Sequence, residues 1–146
     1  MCLFYSIKMP QKKFIFLSHT ADIKFQAFGK TIEKCFENSG LATTYSIFYG
    51  KVKNKRVKKI KVKGNDLRSL LYNFLDEIIY LFDAESFLVG GLKVKINKNI
   101  LEAELNGDDA ENYDKSKMDH IKSVTYSEMF VEKVDAGFVC QVVLDV

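Results

Sequence analysis

Between Asp66 and Leu81 the apolar residues fall at Leu67, Leu70, Leu71, Phe74, Ile78 and Leu81, the three-and-four spacing of one helix face. Gly64-Asn65-Asp66 stands just before the run and supplies both a break and an N-cap. A helix with a single apolar stripe must lay that stripe on another layer, so the flanking segments decide the fold. They have the period of strands. From Arg56 to Lys63, Ile60 and Val62 alternate with lysines, as in an edge strand kept soluble by charge. Phe87–Val89 reads as a short strand ended by Gly90-Gly91. Leu92, Val94 and Ile96 then alternate, Asn97 to Asn99 turn the chain, and Leu101, Ala103 and Leu105 alternate again, which is a hairpin.

The remaining segments fit the same frame. Phe14–Ser18 and Ile23–Phe28 are two strands, the second closed by Gly29. Thr31 caps a helix whose stripe runs through Ile32, Cys35 and Phe36 to Leu41 and Ala42, with Gly40 weakening its middle. Gly107 to Asp119 is polar and reads as a loop. Ile121–Val134 and Phe138–Val146 are the last strands, joined at Asp135-Ala136-Gly137. The expected fold is α+β, two helices packed on a mainly antiparallel β-sheet in a single-domain sandwich.

Composition sets limits on class. The chain has 146 residues, 47% of them hydrophobic, with 12 Phe and 7 Tyr, enough to fill one core. No apolar run approaches the roughly eighteen residues of a transmembrane helix. Residues 1–13 read as an N-terminal extension ahead of a domain at 14–146. Their start, "MCLFYSIKMP", has neither the basic leader nor the small-residue cleavage site of a secretory signal. Three widely spaced cysteines (Cys2, Cys35, Cys140) suggest free thiols in a reducing compartment, hence a cytoplasmic protein, and give no disulfide framework or zinc pattern.

Charge is uneven although the net is only +3. Lys51 to Lys63 holds eight basic residues and no acid, whereas Leu101 to Asp119 holds seven acids and two lysines. The lysine run is either a solvated strand face, the commoner case, or a surface for RNA phosphates or an acidic protein. Arginine, the better bidentate phosphate reader, occurs only at 56 and 68, so sequence-specific nucleic-acid recognition is not indicated.

Three motifs invite chemistry. "GKT" at Gly29–Thr31 lacks the glycine five positions earlier that a phosphate loop needs, since that position is Lys24; it reads as a helix cap. Ser18 and His19 are neighbours on a strand and point to opposite faces, which leaves a hydrolytic pair without geometry. The polar knot His19-Thr20-Ala21-Asp22 interrupts two strands, and a carboxylate at such a kink can project outward. At the other end, "VCQVVLDV" places Val139, Gln141, Val143 and Asp145 on one face and Cys140, Val142, Leu144 and Val146 on the other. Asp145 and the terminal carboxylate of Val146 repel one another, and a hard cation such as calcium, magnesium or manganese would satisfy them, as would plain solvation of a frayed end.

Taken with both ends side by side, the chain resembles the archease family from about Phe14 to Val146. The likeness rests on "HTAD" (19–22), "FGKTIEKCFENSGLA", "GNDLRSLLYNFLDEIIYLFD", "IKSVTYSEM" and the terminal "VVLDV". It departs from the family pattern at Ser18, where an acid is frequent, and at Asp119-His120. The resemblance implies a small α+β protein without catalysis of its own, which activates the RNA ligase of tRNA splicing by promoting its guanylylation and multiple turnover. It implies a divalent cation, calcium first and magnesium or manganese as alternatives, held by Asp22, Asp145 and the main-chain or terminal oxygens of Val146. His19 and Thr20 would shape the knot around that site, and Lys122 would face the ligase. The partner would be that protein, with RNA reached only through it, and no membrane is involved; the oligomeric state is left open. The alternative is a stand-alone RNA-binding or chaperone module built on the lysine-rich strand 51–63.

Overall fold

A computed structural model describes residues 12–19 and 21–146 of the protein. The extension to residue 11 and Thr20 therefore lie outside the described residues. In chain order the elements are β1 (Phe14–Leu17), β2 (Ile23–Gly29), α1 (Ile32–Ile47), β3 (Arg56–Lys63), α2 (Leu67–Glu85), β4 (Phe87–Asn97), β5 (Ile100–Asp109), β6 (Ser123–Val134) and β7 (Gly137–Asp145). Single 3-10 turns occupy Ala110–Asn112 and Lys115–Lys117.

The two helices and the antiparallel pairing are as expected, but the strands divide between two sheets. One has the order β1-β2-β7-β6, the other β3-β5-β4. Helix α1 is what separates them. Its Cys35 Sγ donates to Ala27 O (3.5 Å) and its Ser39 Oγ lies 2.8 Å from Cys140 Sγ, so one side rests on the first sheet. On its other side, a β-carbon added at Gly40 would stand 2.9 Å from Leu92 Cδ2 and 3.2 Å from Ile78 Cδ1. Gly40 thus lets α1 approach β4 and α2 closely, and the intrinsic penalty of a helical glycine is offset by that packing. Phe36 and Phe74 stack where α1 meets α2, with centroids 6.4 Å apart, and both are fully buried.

Caps lie where the sequence put them. Thr31 Oγ1 accepts from the Lys34 N–H, and Asp66 forms a capping box with Ser69. The N–H of Ser69 and its hydroxyl hold the Asp66 carboxyl below the usual range. Helix α2 runs on to Glu85 and closes at Ser86, whose φ is +53°.

Three boundaries differ from the sequence expectation. Gly90-Gly91 does not end a strand: β4 passes through it to Asn97 with a bulge between Val89 and Gly91. The segment after Gly107 is not loop throughout, because β5 continues to Asp109 and the two 3-10 turns follow. The carboxylate of Asp108 is the reason. Burial would push it up, but the hydroxyl of Tyr113 (2.8 Å), the N–H of Asp109 and the Asn112 amide all donate to it and hold it below the usual carboxylate range. The same Tyr113 hydroxyl accepts from the Lys53 N–H (2.8 Å) and ties the approach to β3 onto this segment. Finally, β6 starts at Ser123 and carries a bulge between Thr125 and Phe130.

Candidate metal centre

The register of the first sheet decides which residues of the two chain ends can meet. Ile23 pairs with Leu144 and Lys24 with Val143. One residue further along, the ladder ends with Asp22 emerging from the β1–β2 turn beside Asp145 at the end of β7. Asp145, on β7, shares the Val143 side of the sheet, whereas Asp22 precedes β2 and lines a groove with Phe16, Tyr45, Tyr49 and Asp119. Both residues are half-buried, and Val146 is 41% exposed. Neither aspartate has an ion-pair partner among the described residues. Ser123 pairs with Asp145 from the other side, and the N–H of Lys122 donates to Asp145 O (2.8 Å), so Lys122 stands beside the same strand end with its side chain exposed.

What this arrangement offers is a pair of hard oxygen donors on adjacent strands with main-chain oxygens of Val146 next in line. No group of three or more His, Cys, Asp and Glu side chains with metal-holding geometry exists among the described residues.

His19 lines the same groove as Asp22, and its Nδ1 is buried without a hydrogen-bond partner among the described residues. Its Nε2 lies 3.2 Å from Glu128 Oε2, while Lys24 Nζ donates to Glu128 Oε1 at 2.9 Å. The Lys24 hydrogen bond first and the His19 contact second hold the Glu128 carboxyl below the usual glutamate range. Glu128 was not legible as a site residue from the sequence. It reaches the turn because it sits inside the β6 bulge with φ +53°, a conformation that rotates its side chain out of the strand's alternation. Gln141 Nε2 donates to the Glu128 carbonyl (2.9 Å) and fixes the bulge. The consequence for pH follows in sign from the lowered carboxyl. This contact contributes fully to stability above the ordinary glutamate range and is lost as pH falls through the lowered value. Denaturant unfolding of wild type and Glu128→Gln from pH 7 to pH 3 should converge at the acid end, the wild type showing the larger loss because Asp66 and Asp108 titrate in both.

The lysine-rich segment also looks different once folded. Strand β3 is an edge strand, and its neighbour is the acidic strand β5. Lys59 pairs with Glu104, which pairs with Lys93; Lys61 pairs with Glu102, which pairs with Lys95. The two runs that were far apart in charge along the sequence thus lie side by side on one sheet face, where two glutamates offset half the charge of four lysines. On the inner face Lys58 bonds to Glu85 and lies over the Phe87 ring, 5.7 Å from its centroid.

The molecule is therefore a two-sheet α+β domain that brings an aspartate from its first turn to an aspartate at the end of its last strand. The chain belongs to the archease family: the family model described as "Archease protein family (MTH1598/TM1083)" matches residues 14–146. Similar proteins include protein archease of Pyrobaculum calidifontis, 36% identical over 137 residues covering 88% of this chain and 91% of that one. Protein archease of Methanosarcina barkeri is 36% identical over 144 residues, covering 92% and 97%. Among solved structures, protein 1598 of Methanobacterium thermoautotrophicum superposes with a TM-score of 0.80 at 29% identity, covering 92% of this chain and 99% of that one. An archease of Thermotoga maritima, described as a possible chaperone, superposes with a TM-score of 0.61 at 16% identity, covering 89% and 94%, which is a likeness of fold. No helix among the described residues is long and apolar enough to cross a membrane.

Proposed function

We propose that the protein is a non-catalytic, cation-dependent activator of the RNA ligase of tRNA splicing, acting on the ligase's guanylylation and multiple turnover. The observation that carries the reading is the β2–β7 register, whose last pair, Ile23 with Leu144, leaves Asp22 and Asp145 at the same end of the ladder with no ion-pair partner among the described residues. Asp22, Asp145 and the main-chain oxygens of Val146 would hold a divalent ion, calcium first. The ion would supply a positive centre for phosphate or carboxylate oxygens of the partner. Glu128, through Lys24 and His19, keeps the β1–β2 turn against β6 and so fixes where Asp22 emerges. Lys122, exposed at the same strand end, would face the ligase.

Compensation of β3 by β5 weighs against the alternative of a lysine-strand RNA binder, since half of the outward lysine charge there faces a glutamate. The test is ligase turnover measured with and without this protein across calcium, magnesium and manganese. Stimulation is expected to rise with one of these ions and to vanish in chelator. Stimulation indifferent to chelator would refute the cation; none with any ion would refute the role.

A further inference from the structure

Each sheet has two outer strands, and three of these four edges are protected in recognisable ways. Strand β3 carries lysines, β4 carries a bulge with outward Lys93 and Lys95, and β6 carries the bulge at Glu128. Strand β1, Phe-Ile-Phe-Leu, has no charge, proline or bulge. Its hydrogen-bond parity can be read directly. The N–H of Phe28 donates to Lys13 O (3.0 Å), so alternation turns Ile15 and Leu17 toward β2 and leaves the N–H and C=O of Phe14 and Phe16 facing outward. No described strand pairs with that edge.

The surface beside it is aromatic and grooved. Phe16 is 43% exposed and Tyr49 64%, and Tyr45 contacts both Phe16 (6.0 Å) and Tyr49 (5.0 Å). Tyr45 also lies at the junction of two grooves along β1. One, of about 390 Å³, has Lys13 and Lys51 on its rim and Thr44 in its wall; Thr44 is buried and its hydroxyl has no partner among the described residues. The other, of about 460 Å³, runs past Leu17 to Asp22 and Asp119. Lys13, Lys51 and Asp119 form no ion pair among the described residues. Lys24 and His19 also line the second groove but are engaged by Glu128, so the strip beside β1 is basic at its start and acidic at its end.

Such a strip is complementary to itself turned end for end. We propose that two copies of this chain associate through β1, antiparallel about a two-fold axis at Ile15, to give one eight-stranded sheet. Phe14 and Phe16 of each copy exchange backbone hydrogen bonds and lay their rings toward the partner's grooves. Lys13 and Lys51 of one copy face the acidic end of the other. A single-stranded RNA could use the same aromatic rings, but Asp119 would repel its phosphates, and the outward N–H and C=O groups of Phe14 and Phe16 would find no matching peptide edge. The contact is short, so the dimer is reversible, and it needs no cation.

Sedimentation equilibrium of the full chain in chelator tests this independently of the proposed function. The mass is expected to rise with concentration from 16.8 kDa toward twice that value. Phe16→Lys, with unchanged circular dichroism, is expected to weaken association by more than about tenfold. Reversing Lys13 and Lys51 to glutamate should also break the dimer, and adding Asp119→Lys to that variant should restore it. Hydrogen exchange at the Phe14 and Phe16 amides should slow as concentration rises. A monomer up to millimolar concentration overturns the proposal, as does a dimer indifferent to Phe16→Lys. So does protection of these amides that appears only when an eight-nucleotide single-stranded RNA is added.

Discussion

Asp22→Ala is expected to leave the protein folded while removing the divalent-cation binding and the ligase stimulation proposed above. The side chain has no ion-pair partner among the described residues, and it lies at the end of the β2–β7 ladder, outside the apolar core. Its loss should therefore shift the unfolding free energy by no more than about 0.5 kcal/mol. Taking one of two carboxylates from a hard-cation site is far more serious. Loss of a mere supporting group costs about 10–100-fold in metal affinity, so loss of a direct carboxylate should exceed about a hundredfold. Calorimetric titration with calcium, and terbium luminescence as an independent probe, would read this. Asp22→Asn, which keeps shape and one oxygen, should fall between. Unaltered affinity in Asp22→Ala would place the ion elsewhere and end the proposed site.

The second large effect concerns Gly29, which the sequence places in a "GKT" triplet at the start of α1. A β-carbon there would stand 2.2 Å from Cys35 N and 2.7 Å from Lys34 C, both backbone atoms that cannot swing aside. Gly29→Val must lift the first turn of α1 off β2. That motion strains the Asn38 Nδ2 hydrogen bond to Phe28 O (2.6 Å) and the Cys35 thiol contact to Ala27 O. The expected cost is roughly 3 kcal/mol or more, a drop in melting temperature on the order of 10 °C for a domain of this size. Lys30→Ala, at an exposed position one residue later, should change stability little. Differential scanning calorimetry of the two variants decides it. Equal stability of Gly29→Val and wild type would mean that α1 and β2 are not packed this closely.

Residues near the site divide according to how local their information is. The stripe from Leu67 to Leu81, the caps at Thr31 and Asp66, and the face assignment of Cys140, Val142 and Leu144 are set by neighbours a few positions away. Short-range periodicity and capping chemistry expose them, and the structure has them as expected except at Leu67, which is exposed at the start of the helix. Glu128 is different. Nothing in "TYSEMF" marks it, because its reach to His19 and Lys24, more than a hundred residues back, depends on a bulge whose register is fixed by β7. Gly40 was legible only as a weak spot in a helix. Its use, contact with Leu92 and Ile78, is a property of three elements at once.

The sequence by itself determined the elements, their periods, the exposed lysine face of β3 and the two aspartates that terminate opposite ends of the domain, because each of these follows from the chemistry of adjacent residues. Only the tertiary structure decided that the strands form two sheets, with α1 packed against β2 of one and β4 of the other. The same packing set acidic β5 beside basic β3, and pairing Ile23 with Leu144 brought Asp22 to Asp145. Those are choices of partner between distant segments, made by burying apolar surface on both sides of one helix, and no local pattern encodes them.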